Sequence, residues 1–226
     1  MPKRSPLDVL RAHRLMPLVE IRDASTAPEL AATFVRAGLP ILEIGFRTDA
    51  AIAALRGVAR DKGDLLLAAG TIASPEQARL AFDAGADLIV TPGLNPLVIE
   101  YCLENEMPIV PGVCTPTEIE TARNYGLTTL KFFPAEAFGG VRTLRALGEA
   151  YRGVAFVPTG GINLQNLVEY LKLPVVVACG GSWMASADTI QNRRFDLVAH
   201  AIGQSIACVS GLLSMTGVAE GQEVRV

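Results

Sequence analysis

The sequence predicts an α/β chain folded as a single-domain (β/α)₈ barrel with a short N-terminal helix. Three observations carry that expectation. Short apolar runs recur eight times, their starts roughly 20–25 residues apart, about what one strand, one helix and two short loops consume. The segments between them are amphipathic at helical spacing. The phrases RAGLPILEI, DAGADLIV and NYGLTTLKF repeat one pattern: a helix end, a glycine, then a strand.

The elements follow in order. The first dozen residues are expected to form a helix. The expected strands are Met16–Ile21, Ile41–Phe46, Leu65–Ala69, Leu88–Thr91, Ile109–Val113, Thr129–Phe133, Ala155–Pro158 and Val175–Cys179. Near-continuous apolar strands alternating with helices imply parallel pairing and burial on both faces. Pro28–Ala37 places Leu30, Phe34 and Val35 at helical spacing. Ser74-Pro75-Glu76-Gln77 reads as a helix start, with Ser as N-cap, Pro at the first position and Gln three residues on. Thr115-Pro116-Thr117-Glu118 repeats that logic. Gly38, Gly85 and Gly126 read as left-handed C-terminal caps. No G-x-G-x-x-G follows any strand, which weighs against an open doubly wound sheet. One domain is expected over residues 1–226, its core about 14–205 and its tail from about 211 to 226 loosely ordered.

Composition narrows the function classes. The 226 residues are 50% hydrophobic and 19% charged, with a net charge of −3. That balance argues against nucleic acid or an anionic membrane as partner, so an anionic ligand needs a local site. Cys102, Cys114, Cys179 and Cys208 form no C-x-x-C and read as reduced, buried thiols of a cytoplasmic protein. The basic N-terminus MPKRSPLDVLRAH lacks the apolar run of a signal peptide. The spacing of charges predicts no segment with the roughly 18 apolar residues of a membrane helix. The mean hydropathy of +0.34 is assigned instead to buried parallel strands. The two histidines, His13 and His200, fall in the first and last helices, and no metal site is expected.

In a barrel the reacting groups belong at the C-terminal ends of strands. Lys131 lies inside Thr-Leu-Lys-Phe-Phe-Pro, where its charge must be desolvated. Desolvation favours the neutral amine, the form that attacks carbonyls. The same lysine could instead be paired with a buried carboxylate or reach outward. Glu43 interrupts Ile-Leu-Glu-Ile and shares a face with Ile41 and Gly45; if that face is the barrel interior, its natural partner is a cation such as Lys131, and it is either one half of a structural ion pair or a proton carrier. Arg47 follows directly, and its fork suits a carboxylate unless it is simply solvated. Gly70-Thr71 end the third strand, where Thr71 offers a hydroxyl to a ligand or to the next helix. Two glycine pairs, Gly160-Gly161 and Gly180-Gly181, are read as following the last two strands, where barrels often hold phosphate on backbone amides. Tight turns alone would explain them too.

Taken together, LEIGFRT (42–48), AAGTI (68–72), VTPGLNP (90–96), PIVPGV (108–113), LKFFPAEAFGG (130–140), PTGGI (158–162) and CGGSWM (179–184) resemble the bacterial 2-keto-3-deoxy-6-phosphogluconate / 4-hydroxy-2-oxoglutarate aldolase family. The resemblance covers about residues 12–200. It implies a homotrimeric class I aldolase without metal or cofactor, acting on a keto acid, often phosphorylated, and on pyruvate. By position, Lys131 forms the Schiff base and Glu43 shuttles protons. Arg47 and Thr71 hold the pyruvate carboxylate or adjoining oxygens, and Pro92 and Phe133 shape the pocket. Thr159, Gly160, Gly161, Gly181 and Ser182 hold the far end of the substrate. Two positions depart from the family pattern: Gly45 stands where a threonine is usual, and Glu20 where relatives are apolar. If Glu20 points inward it adds negative charge near the site; if outward it is solvated or paired. A phosphogalactonate-type or unphosphorylated keto-acid substrate fits the same motifs. A sugar-phosphate isomerase or epimerase would explain the glycine pairs but not Lys131. A binding barrel without turnover is the remaining alternative.

Overall fold

The computed structural model describes residues 5–216. A leading helix α1 (Pro6–His13) starts on Pro6 and ends on Arg14, whose φ of 58° lets its N–H return to the Leu10 carbonyl. Nine parallel strands follow: β1 (Leu15–Val19), β2 (Ile41–Gly45), β3 (Leu66–Gly70), β4 (Leu88–Val90), β5 (Ile109–Val110), β6 (Gly112–Val113), β7 (Thr129–Phe132), β8 (Ala155–Pro158) and β9 (Cys179–Gly181). They alternate with α2 (Ala27–Arg36), α3 (Ala51–Ala59), α4 (Pro75–Asp83), α5 (Pro96–Glu104), α6 (Pro116–Asn124), α7 (Gly140–Ala150) and α8 (Leu167–Leu171). Then come α9 (Ala187–Gln191) and a long α10 (Phe195–Thr216).

The ladders form a six-stranded sheet, β5-β4-β3-β2-β1-β9, and a three-stranded sheet, β6-β7-β8. The sequence reading expected eight strands in one ring. Pro111, which has no N–H to give, divides the expected fifth strand in two. The last strand also shifts. The apolar run 175–178 pairs on one side only, through Phe156 N–H to Val175 O and Val177 N–H to Phe156 O. Strand β1 begins at Leu15, opposite Cys179, so two-sided pairing starts at Cys179 and takes in both glycines. Gly180-Gly181 therefore lie largely within the final strand rather than after it.

Local signals resolve as hydrogen bonds. Ser74 accepts from Gln77 N–H at 3.2 Å, and the Gln77 side chain accepts from Ala73 N–H at 2.8 Å. Thr115 and Glu118 form a complete capping box. Gly38, Gly85 and Gly126 have φ of 86°, 97° and 77°, the left-handed region the helix ends require.

Every strand residue is buried, which is why the runs are apolar throughout. Two expectations need correction. The Phe195–Ser214 stretch of α10 is long and apolar enough to cross a membrane, because no Asp, Glu, Lys or Arg interrupts residues 197–214. In the fold it turns Phe195, Val198, Ile202, Val209 and Leu212 inward and leaves Gly203, Gln204, Ala207 and Ser210 exposed, the two-faced pattern of a helix packed on a core. The helix runs to Thr216, and the rest of the expected tail, 217–226, lies outside the described residues. All four cysteines are free, but only Cys102 and Cys179 are fully buried; Cys114 and Cys208 are half-buried.

Candidate active site

Among the described strand residues only two carry charge, Glu43 on β2 and Lys131 on β7. They meet: Lys131 Nζ donates to Glu43 Oε1 at 3.3 Å, with side-chain exposures of 4% and 1%. Two charges taken out of water attract strongly, yet the desolvation penalty offsets much of that gain, so such a pair is weak evidence of a stability role. Glu43 Oε2 is buried and has no hydrogen-bond partner among the described residues. It thus keeps an open acceptor beside the amine. The ring of Phe133 lies 5.5 Å from Lys131 Nζ, within cation–π range.

Gly70 explains how the carboxylate fits. A Cβ there would sit 2.0 Å from Glu43 Oε1, so glycine leaves the space the carboxylate occupies. Gly112, the register partner of Lys131, plays a similar part for the loop after β4: a Cβ would fall 2.4 Å from the Pro92 carbonyl. Thr91 fastens that loop by donating to Gly93 O at 2.7 Å and accepting from Gly112 N–H at 3.0 Å. At Gly70 the close neighbour is a side chain, at Gly112 it is backbone. Gly112 and Thr91 gave no chemical signal because neither residue type is unusual at a strand end.

Arg47 and Thr71 also meet, Arg47 Nε donating to Thr71 Oγ1 at 3.1 Å. Thr71 has φ of 61°, a conformation that costs energy for a branched residue and is concentrated at functional sites. Across the sheets, buried Thr159 forms a bridge with Gly180, and a Cβ on Gly180 would lie 2.3 Å from the Thr159 hydroxyl. Gly160 and Gly161 follow with φ of 101° and 83°. Their amides have no acceptor among the described residues. Gly181 ends β9 and Ser182 stands exposed just beyond it. Glu20 is neither free nor paired into the site: Arg22 donates to it at 3.0 Å. Gly45 is not required by crowding, since a Cβ would meet only ordinary contacts at 3.5 Å or more.

A parallel α/β fold that brings a buried lysine and a buried carboxylate together from strands of its two different sheets has the makings of an amine-nucleophile enzyme site. The chain belongs to the family described as Aldolase: KDPG and KHG aldolase, whose profile matches residues 7–201. It is 41% identical over 206 residues to the 2-dehydro-3-deoxy-phosphogluconate aldolase of Treponema pallidum, covering 91% of this chain and 98% of that protein. Among solved structures it is similar to KDPG aldolase from Legionella pneumophila with pyruvate captured as a covalent carbinolamine (TM-score 0.86, 34% identity, 89% and 98% of the two chains). It is also similar to the Zymomonas mobilis 2-keto-3-deoxy-6-phosphogluconate aldolase with 3-phosphoglycerate (TM-score 0.83, 29% identity, 91% and 96%).

Proposed function

We propose that this chain is a class I aldolase that cleaves 2-keto-3-deoxy-6-phosphogluconate to pyruvate and glyceraldehyde 3-phosphate through an imine on Lys131. The observation that carries the reading is the isolated Lys131–Glu43 pair, 3.3 Å apart inside an otherwise apolar wall. Lys131 attacks the ketone and water leaves. The protonated imine is the electron sink. Glu43, directly or through a water, takes the C4 hydroxyl proton, and the C3–C4 bond breaks. Protonation of the enamine and hydrolysis release pyruvate. The open Oε2 lone pairs beside the amine suit that proton transfer.

Arg47 and Thr71 bind the keto-acid carboxylate, Arg47 keeping its two terminal nitrogens for a forked contact while Nε holds Thr71. Pro92 and Phe133 wall the pocket. Thr159, Gly160, Gly161, Gly181 and Ser182 receive the far, phosphorylated end on hydroxyls and backbone N–H groups. The same site would admit 4-hydroxy-2-oxoglutarate, yielding glyoxylate. We further infer one domain whose two sheets join as a single eight-stranded barrel. Support comes from Lys131 N–H donating to the Pro111 carbonyl at 2.8 Å and from the bridges Phe156–Val176 and Thr159–Gly180. A homotrimer working in the cytoplasm completes the reading.

The test is to mix the protein with pyruvate and borohydride and locate the adduct by peptide mass spectrometry. An irreversible adduct on Lys131 is expected. A folded protein that binds the sugar phosphate yet forms no adduct would sink the imine mechanism.

A further inference from the structure

Glu136 takes no part in the chemistry just described, yet it touches the loop assigned to the far end of the substrate at two points and the helix after that loop at a third. It opens the 3-10 turn after β7, and its N–H donates to Gly160 O at 3.0 Å. Its side chain runs under Gly161, where an added Cβ would lie 2.5 Å from Glu136 Cγ. Its Oε1 accepts a hydrogen bond from the Tyr170 hydroxyl. Tyr170 is fully buried on α8, the helix that follows the Gly160–Gly161 loop. Burial first, and this hydrogen bond second, hold the Tyr170 phenol protonated, so it remains a donor. Gly140 packs against the same contact; a Cβ there would meet both the Tyr170 hydroxyl and Glu136 Oε1. On the other side, Asn166 Nδ2 donates to Gly161 O at 3.1 Å.

The geometry points to Glu136 and Tyr170 as positioning residues that fix the Gly160–Gly161 loop and so set how well the enzyme holds a phosphorylated substrate end. This rests on the proposed reading of that loop. The tether acts in two ways. It supports both glycines in left-handed conformations that leave their N–H groups without an acceptor among the described residues. It also keeps a carboxylate that solvent reaches from swinging toward a bound phosphate, where like charges would repel.

The experiment compares 2-keto-3-deoxy-6-phosphogluconate with 2-keto-3-deoxygluconate, which lacks the phosphate, in Tyr170→Phe, Glu136→Ala and Glu136→Gln. Phenylalanine keeps the buried ring and removes only the hydroxyl. Glutamine keeps the acceptor for Tyr170 and removes the charge. For Tyr170→Phe and Glu136→Ala, KM for the phosphorylated acid should rise about tenfold, the scale of one lost hydrogen bond. Their KM for the unphosphorylated acid, kcat and borohydride trapping of pyruvate should stay near wild type. Glu136→Gln should restore most of the phosphate-selective KM. Equal KM rises on both substrates, or no rise in either truncating variant, overturn the proposal while wild-type trapping leaves the aldolase reading standing. A wild-type protein that traps no pyruvate overturns both.

Discussion

Glu43 and Lys131 are 88 positions apart in the chain and 3.3 Å apart in the fold. Each was legible alone, because a charge inside an apolar strand is costly and therefore conspicuous. Their meeting was legible only as a condition, that Glu43 face the interior, because the way the two sheets face each other sets it. Lys131→Ala should abolish the borohydride-trapped pyruvate adduct, read by intact-protein mass. Glu43→Gln should lower turnover by about 10²–10⁴ while leaving trapping measurable, the usual span for a positioned acid–base group. Normal turnover in that variant would remove Glu43 from the mechanism. Gly70→Ala is the sharper test of geometry. Its Cβ would displace a carboxylate 2.0 Å away, and a misplacement on the order of 1 Å costs roughly 10² in rate. Melting temperature near wild type with kcat reduced to that degree is the expected pair of readings.

At the scale of elements, caps and turn glycines were readable because their bonds are local. The Thr115–Glu118 box spans four residues and needs nothing from the rest of the chain. Burial alone would raise the Glu118 carboxyl; hydrogen bonds from the N–H groups of Cys114 and Thr115, the Thr115 hydroxyl and the Cys114 thiol outweigh it and hold it below the ordinary carboxylate range. A carboxyl lowered by folding stabilises fully above its unfolded value, about 4.3, and the contribution fades as pH falls through the folded value. Glu118→Gln should therefore destabilise the protein at pH 7 and make little difference near pH 3, by urea unfolding at both. Thr115→Ala should cost about 1 kcal/mol at neutral pH without changing kcat. Strand ends were less legible. Pro111 splits one run, and the last strand begins where β1 can pair with it, a fact of register between residues 15 and 179.

For the whole molecule, α10 tests how the outer layer holds. Leu212 is 4% exposed near the end of the described chain, and Leu212→Ala should destabilise by about 2–3 kcal/mol in denaturant unfolding. A change near zero would mean that the end of α10 contributes little to the core. The proposed trimer predicts a light-scattering mass close to three times the 23.9 kDa of one chain. The order of strands and helices, the apolar walls and the two anomalous charges followed from the sequence alone. Periodicity, caps and the cost of burying charge are local properties that each segment carries with it. Tertiary structure decided which strands met, that Gly70 makes room for the Glu43 carboxylate, and that Tyr170 reaches back to Glu136 beneath Gly161. Those contacts join residues distant in the chain, and only the packing of one strand or loop against another brings them into reach.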